Sequence, residues 1–206
     1  MIVSIILQRV EDCTIRGKKD IDLRIIGGRL KGKKLYSVSG VKTRPTAGRV
    51  RESIFNILSS LLSDAVVLDL FAGTGAFGFE ALSRGAQSAV FADIDKDSIS
   101  VLRRNIKNIS VESQTKVILW DITKNLNCLR SFQPAFNLVF MDPPYRKDMI
   151  EPTLINLHSS QCIEPGACIV VEHSHQEPII ENQLPFDLVD QRQYGKTLVS
   201  FLNYVL

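Results

Sequence analysis

The 206-residue sequence has few cysteines, no long apolar run and no internal repeat. Its four cysteines form no C-x-x-C pair, so neither a disulfide framework nor a thiol-rich zinc site is indicated, and we expect reduced thiols in a cytoplasmic protein. The longest purely apolar stretches are a few residues, far below the length of a membrane span. Hydrophobic residues make up 45% and charged residues 23% of the chain, which is typical of a globular protein.

Acidic residues are absent from one segment of the chain. Between Arg24 and Arg51 there are nine basic residues and no acid, whereas the remainder carries 16 basic and 22 acidic residues, a net charge of −6. One positive segment on an otherwise acidic protein is typical of a surface that binds a polyanion. The alternative is an ordinary solvated basic segment, although neutral surfaces normally intersperse both signs of charge.

Apolar runs and helical periodicity alternate along the rest of the chain. Strands are predicted at 66–70, 88–92, 116–120, 137–141, 167–171, 186–194 and 197–205, and helices at 46–62, 76–84, 96–108 and 149–158. Thr46 is the expected cap of the first helix. Repeated β-α units imply a mainly parallel sheet with helices on both faces, and Gly195-Lys196 is expected to join the last two strands in an antiparallel hairpin.

The predicted architecture is therefore a Rossmann-like α/β sandwich with a seven-stranded sheet. Residues 63–206 would form this domain, and residues 23–62 a basic N-terminal extension made of a β-hairpin and a helix. Residues 1–22 are predicted to be dispensable, and one interpretation is that they do not belong to the native protein. The alternative is an added edge strand, because residues 2–7 are rich in β-prone side chains.

A glycine-rich loop follows the first predicted strand of the sheet. Gly73, Gly75 and Gly78 satisfy G-x-G-x-x-G, and Asp93 lies 20 residues after Gly73 at the end of the second strand, which also fits a dinucleotide site. Asp69 favours a different ligand. A carboxylate just before the loop would repel a pyrophosphate but can bind an ammonium group, such as that of the methionine part of S-adenosylmethionine.

Two further acids follow strands, and one of them has two interpretations. Asp121, after the third strand, could accept a hydrogen bond from an adenine amino group, with Ile122 beside the ring. It could equally cap a following helix. Asp95 is expected to be such a cap, for the helix that begins at Lys96.

The sequence Asp142-Pro143-Pro144-Tyr145 follows the strand predicted at 137–141. Prolines lack the N–H group needed to continue a ladder, so this strand must end at Asp142, at the sheet edge where ligands bind. Asp142 and the Pro143 carbonyl can accept the two hydrogens of a planar amine while Tyr145 stacks on the ring that carries it. The motif therefore predicts transfer of a group onto an amine nitrogen.

Together these motifs resemble class I S-adenosylmethionine-dependent methyltransferases. More narrowly, the chain is similar to the bacterial small-subunit (16S) rRNA guanine-N2 methyltransferases. The resemblance runs from about residue 24 to the end. It rests on residues 24–35, 43–46, 49–56, 69–75, 80–86 and 142–145, with 171–174 and 194–195 also fitting. Asp93 stands where this family usually has Glu.

The resemblance implies methyl transfer from S-adenosylmethionine, with S-adenosylhomocysteine as product, to the N2 amine of a guanine in rRNA, free or within an assembling small subunit. Asp142, Pro143 and Tyr145 would receive the amine. The cofactor contacts would be Asp69, Phe71, Gly73, Gly75, Asp93, Ile94, Asp121 and Ile122, and the RNA contacts Arg29, Lys31, Arg44, Arg49 and Arg51. We expect a monomer.

Three other functions are weighed against this one. A DNA amino-methyltransferase shares D-P-P-Y but needs a target-recognition domain, for which 206 residues leave little room. A protein glutamine methyltransferase usually has Asn in place of Asp142 and needs no basic extension. A non-catalytic nucleic-acid-binding protein gives no reason for a cofactor acid together with Asp142. No metal site is predicted, because His173 and His175 without cysteine are a weak ligand set.

Overall fold

The computed structural model describes residues 23–38, 45–179 and 185–205, without the side chains of residues 45–47. The predictions for residues 1–22 and for Arg44 lie outside this part of the chain.

Seven strands form a single sheet. They are β1 (Val66–Leu70), β2 (Ser88–Asp93), β3 (Thr115–Leu119), β4 (Phe136–Met141), β5 (Ile163–Ser174), β6 (Phe186–Tyr194) and β7 (Thr197–Tyr204). Their order is β3-β2-β1-β4-β5-β7-β6. Strands β1 to β5 are parallel, and β7 is antiparallel to both β5 and β6. The predicted mainly parallel sheet and its antiparallel C-terminal hairpin are confirmed.

Four α-helices accompany the sheet in the described residues. They are α1 (Pro45–Ile57), α2 (Ala76–Ser83), α3 (Lys96–Ile109) and α4 (Ile150–Ser160). The prediction for α1 is wrong at both ends. The helix begins at Pro45, so Thr46 lies inside it, and its last predicted turn is a separate 3₁₀ helix at Leu58–Leu61. A proline is well suited to a first helical position because its missing N–H would have no partner there.

Two apolar clusters cover the two faces of the sheet, as alternation along the strands requires. One cluster joins Val67, Phe91 and Phe140 to side chains of α1, α2 and α3, and it also includes Ile25 and Leu35 of the basic extension. The other joins Leu68, Val139 and Ile169 to Leu154 and Leu157 of α4. The predicted placement of helices on both faces is confirmed.

The hairpin predicted in the basic extension is only partly formed. A single antiparallel bridge joins Arg24 and Lys34, and no strand ladder extends from it in residues 23–38. The turn is closed by hydrogen bonds from the Ile25 N–H to the Lys33 carbonyl and from the Leu35 N–H to the Leu23 carbonyl. The segment is a compact loop laid on the sheet domain.

Strand β5 is longer than predicted. It begins at Ile163, so the expected turn Glu164-Pro165-Gly166 lies within it, and the pairing with β4 shifts register between Phe136 and Leu138. An irregularity there accommodates a proline that cannot donate to the ladder.

None of the helices in the described ranges is long and apolar enough to cross a membrane.

Candidate active site

Strand register aligns the predicted site residues at one edge of the sheet. Leu70 pairs with Ala92 on one side and with Met141 on the other. The residues that follow, Phe71, Asp93 and Asp142, therefore leave the carboxyl ends of adjacent parallel strands side by side. This is the edge where open α/β sheets bind ligands.

The three glycines of the motif after β1 have different roles, with Gly73 and Gly75 in the loop and Gly78 in the first turn of α2. Gly75 adopts φ 78°, and a Cβ atom there would lie only 2.5 Å from the Phe79 ring. A Cβ atom on Gly78 would collide with the ring of Phe91. Gly73 adopts φ 53°, but a Cβ atom there would approach nothing closer than 3.9 Å. Gly75 and Gly78 are thus needed for packing, whereas Gly73 leaves open space beside the loop.

Asp93 holds the glycine loop from the neighbouring strand. The side chain is 8% exposed, and its two oxygens accept hydrogen bonds from the N–H groups of Gly73 and Asp95, both at 2.8 Å. The next acid, Asp95, caps α3 as predicted by accepting from the N–H groups of Asp97 and Ser98. The carboxylate of Asp93 thereby sets the distance between the loop and the end of β2.

Asp69 lies beneath the loop rather than at its surface. The side chain is 3% exposed and accepts a hydrogen bond from the Gly78 N–H at 2.9 Å. Burial raises the pKa of this carboxyl to about 8, the Gly78 hydrogen bond opposes that shift, and the nearby charge of Asp93 adds to it. Such a group is largely protonated at neutral pH until a positive charge approaches it.

Phe71 follows β1 directly and adopts φ 58°, an uncommon left-handed conformation for a phenylalanine. Its half-buried ring packs against the apolar cluster that contains α4. The backbone strain at this position accompanies the sharp turn from β1 into the glycine loop.

A cavity of about 380 Å³ opens beyond the ends of β2 and β3. Its lining residues are Ile94, Leu119, Trp120, Asp121, Lys124 and Asn125. Ile94 is 61% exposed and so presents an apolar side chain to solvent, which a flat ligand could cover. The structure thus brings Ile94 and Asp121 to one cavity. Of the other lining residues, Trp120 was recognisable in the sequence as an aromatic at a strand end.

Asp121 is fixed by its own turn. It accepts hydrogen bonds from the Thr123 N–H at 3.2 Å and the Thr123 hydroxyl at 2.7 Å, and it pairs with Lys124 at 3.2 Å. The Thr123 hydroxyl contributes most to lowering the pKa of Asp121. The carboxylate therefore stabilises a turn, and in the described residues the next α-helix begins only at Ile150. The alternative role as a cap of a following α-helix is wrong.

Ile122 does not line the cavity. It is 2% exposed and packs in the apolar cluster around α4. The prediction that its side chain lies beside a bound ring is therefore corrected: the strand end turns this side chain into the core.

The acceptor motif after β4 is arranged around Tyr145. Asp142 is exposed and Pro143 is buried. The half-buried Tyr145 donates its hydroxyl hydrogen to Glu172 Oε1 at 3.1 Å or shares it with the Thr197 hydroxyl at 3.0 Å. Burial is the main reason that the pKa of Tyr145 rises to about 12, with Glu172 and Asp142 adding to the shift. The phenol stays neutral, and its hydrogen bonds hold the ring in place.

Glu172 and Thr197 were missed as site residues by the sequence analysis. Both lie on strands, and their roles depend on the pairing of β5 with β7, which places Glu172 opposite Val199 and Ser174 opposite Thr197. The sequence indicates those strands but not which of their side chains reaches Tyr145.

A buried glutamate attaches the basic extension to the domain. Glu80 of α2 is completely buried, and its two oxygens accept hydrogen bonds from the Ile26 N–H at 2.7 Å and the Gly27 N–H at 2.8 Å. The Arg84 side chain donates to the same carboxylate at 2.8 Å. A carboxylate can be buried at this position because two backbone amides and a cation compensate for its lost hydration.

The predicted RNA contacts divide into exposed and buried residues. Arg29, Lys31 and Arg49 are exposed. Arg51 is 5% exposed, donates to the Arg24 carbonyl at 2.6 Å and lies 3.9 Å from Glu80. Burial lowers the pKa of its guanidinium. The prediction that Arg51 contacts RNA is therefore corrected. The side chain stabilises the attachment of the extension and is too buried to reach a phosphate.

No cluster of three or more metal-binding side chains occurs within the residues that the structure covers. The ring of His173 is buried and hydrogen-bonded to the Ser200 hydroxyl at 2.8 Å and the Glu177 carbonyl at 2.9 Å. Burial lowers the pKa of this histidine, so it is a neutral packing residue.

The strand order, the glycine loop and the aligned acids define a class I methyltransferase fold. Comparison with known proteins gives the same class. A family model described as "Conserved hypothetical protein 95" matches residues 23–203. The chain belongs to this family, and it is also similar over most of its length to curated proteins named ribosomal RNA small subunit methyltransferase D.

Two such relatives and one solved structure are informative. The methyltransferase D of Haemophilus influenzae is 33% identical over 89% of this chain and 93% of its own length. That of Escherichia coli K12 is 36% identical over 79% of this chain and 78% of its own. The structure of a candidate methyltransferase from Escherichia coli has a TM-score of 0.77 and 30% identity, covering 89% of this chain and 98% of that one.

Proposed function

We propose that this protein transfers a methyl group from S-adenosylmethionine to the exocyclic N2 amine of a guanine in 16S ribosomal RNA. The observation that carries the proposal is the alignment of Asp142 with Asp93 and the glycine loop at one sheet edge. The names of the relatives support ribosomal RNA as the substrate class. The guanine amine rests on the acceptor motif and on the resemblance of the sequence.

The residues present fit the cofactor. The open side of Gly73 admits a ligand, Asp93 can accept from ribose hydroxyls through its remaining lone pairs, and the cavity at Ile94 and Asp121 can take a flat, amine-bearing ring. Asp69 would face the ammonium of the methionine part. S-adenosylmethionine, when bound, supplies an electrophilic methyl group on a sulfonium centre.

The acceptor residues would position the amine rather than activate it strongly. A guanine N2 lone pair is delocalised into the ring and is a weak nucleophile. Asp142 and the Pro143 carbonyl, by accepting its two hydrogens, would draw this lone pair out of conjugation and aim it. Tyr145, held by Glu172 and Thr197, would stack on the base, which must be unpaired or flipped out.

The proton is released late in this scheme. Formation of the nitrogen–carbon bond would break the carbon–sulfur bond, whose electron pair would go to sulfur, and the nitrogen would become acidic. Asp142 is exposed, so it can take the proton and pass it to water. We propose that a cytoplasmic monomer without a metal ion carries this out on free RNA or on an assembling small subunit.

Two other acceptors are kept as alternatives: the amine of a DNA base and a protein glutamine. The exposed cations Arg29, Lys31 and Arg49 favour a nucleic acid over a protein. RNA is favoured over DNA because the relatives are named as ribosomal RNA enzymes.

Incorporation of labelled methyl groups distinguishes these substrates. The protein is incubated with labelled S-adenosylmethionine and, separately, 16S RNA, small ribosomal subunits, partly assembled subunits, DNA and a glutamine-containing peptide. The labelled RNA is then digested to nucleosides, and label is expected in N2-methylguanosine alone. Label in DNA or peptide, or in another nucleoside, would contradict the proposal.

A further inference from the structure

One buried side chain touches both the basic extension and the glycine loop. Asn105 of α3 is completely buried. Its oxygen accepts the Tyr36 N–H at 2.7 Å, and its amide nitrogen donates to the Tyr36 carbonyl at 3.1 Å and to the Thr74 carbonyl at 3.0 Å. Both amide hydrogens and the oxygen are therefore satisfied, as a buried amide requires.

Thr74 lies between the two glycines that shape the loop. Gly73 is held by Asp93, and the Gly75 N–H donates to the Ala72 carbonyl at 2.7 Å. Asn105 thus fixes the one residue between them. Of these three attachments, the one through Asn105 also reaches the basic extension, because Tyr36 belongs to it and lies two residues after the exposed pair Lys33 and Lys34.

Helix α3 makes this connection stiff. Leu102 and Ile109, one helical turn to either side of Asn105, and its neighbour Ile106 are buried in the same apolar cluster as Phe79 of α2 and Leu35 of the extension. On the outer side, the guanidinium of Arg104 lies 3.5 Å from the centre of the Tyr36 ring. Tyr36 is therefore held from both its backbone and its side chain.

We propose that Asn105 is a positioning residue that couples RNA binding on the basic extension to cofactor binding in the glycine loop. This inference rests on the proposed function. RNA bound to the extension restrains the remaining motion of Tyr36, Asn105 passes that restraint to Thr74, and the loop then loses less conformational entropy when the cofactor binds. By linkage, the cofactor favours RNA binding by the same factor.

The chain offers a matched control one turn further along α3. Asn108 donates to the Lys34 carbonyl at 2.8 Å, so it too anchors the extension, but it is exposed and this hydrogen bond does not involve the glycine loop. Asn108→Ala should weaken RNA binding without altering the coupling. Asn105→Ala should alter the coupling itself.

The measured quantity is the ratio of S-adenosylhomocysteine dissociation constants without and with a 16S RNA transcript, determined within each variant. In the parent protein we expect RNA to tighten binding about fivefold or more. The ratio should stay at that value in Asn108→Ala and fall towards one in Asn105→Ala, with kcat at saturating RNA reduced more than the KM for RNA is raised. A ratio of one in the parent, or an unchanged ratio in Asn105→Ala, would overturn the inference.

Hydrogen exchange on the parent protein tests the same connection without a variant that could unfold. Adding the RNA transcript, with no cofactor present, should increase protection of amides in residues 72–76; unchanged protection overturns the coupling. If the parent binds S-adenosylhomocysteine and methylates RNA but shows no coupling, this inference fails while the proposed function stands. If it does neither, both fail.

Discussion

The cofactor side and the acceptor side of the sheet edge are built in different ways. On the cofactor side, Asp69 and Asp93 are almost fully buried; Asp93 accepts the Gly73 N–H of the glycine loop, and Asp69 accepts the Gly78 N–H at the start of α2. On the acceptor side, Asp142 is exposed, and the neighbouring ring of Tyr145 is held by side chains from two other strands. The two carboxylates of the cofactor side are therefore fixed by backbone groups, whereas the acceptor side remains open to a large substrate.

The largest effect is expected on the acceptor side. Asp142→Ala should lower turnover by about 10²-fold or more, because the amine loses the group that aims it. Affinity for S-adenosylhomocysteine should hardly change, since Asp142 lies on the far side of β1 from Asp93. Rates at saturating RNA and calorimetry measure the two quantities.

A suitable control for that variant is Asp187→Ala, which removes an exposed acid from β6 at the opposite end of the sheet from β3. It should behave as the parent. Near-normal turnover of Asp142→Ala would show that the assigned role is wrong and that the two sides do not divide cofactor from acceptor.

The next largest effect is expected on the cofactor side. Asp93→Ala should weaken binding of S-adenosylhomocysteine by about 1.5–3 kcal/mol, because a charged acceptor for ribose hydroxyls is lost. The loss also frees the N–H of Gly73, so the loop should exchange its amide hydrogens faster. Asp97→Ala, in an exposed acid of the first turn of α3, is the matched control. Equal affinities in the two variants, or preferred binding of NAD by the parent, would contradict the assignment.

A smaller effect is expected from the exposed cations of the basic extension, which belong to neither the cofactor side nor the acceptor side. Replacing Arg29, Lys31 and Arg49 together by glutamine should flatten the plot of log K for RNA against log salt by about 2, since each phosphate contact contributes roughly 0.7 to 0.9 to that slope. Cofactor affinity should be unaffected. Arg51 is left intact because it is buried against Arg24 and Glu80. The control is Arg130→Gln, which removes one exposed cation outside the extension. If the triple variant and this control had the same slope of log K against log salt, the RNA surface would lie elsewhere.

Motifs with a fixed local conformation were predictable from the sequence. The glycine loop, the break of β4 before two prolines and the cap by Asp95 each follow from backbone chemistry within a few residues, and each occurs as expected. The mainly parallel sheet was predictable because alternating β-α units permit few arrangements.

Contacts between distant segments were not predictable in the same way. Nothing in the local sequence distinguishes Arg51, which is buried, from Arg49, which is exposed; the difference arises from the docking of the extension on Glu80. The same holds for Asn105, whose partners lie 69 and 31 residues away. The burial of Glu80 can be recognised only from the folded structure, in which α2 contacts Ile26 and Gly27 of the extension.

The smallest effect concerns the proton on Asp69. Its pKa of about 8, raised by burial, means that the carboxyl carries a proton at pH 7 in the protein alone. If the ammonium of the cofactor approaches Asp69, the ionised form is favoured and the pKa falls, so binding at pH 7 should release up to about one proton. At pH 9 the carboxyl is already ionised, and the release should vanish.

Calorimetry of S-adenosylhomocysteine binding, repeated in buffers with different ionisation enthalpies, measures this proton. Asp69→Asn should abolish the release at pH 7 while keeping a side-chain oxygen that can accept the Gly78 N–H. Release that persists in Asp69→Asn would come from another group. No release in the parent would mean that the buried acid serves only to hold the start of α2. Asp93 would then be the one buried acid of the cofactor side that contacts the cofactor.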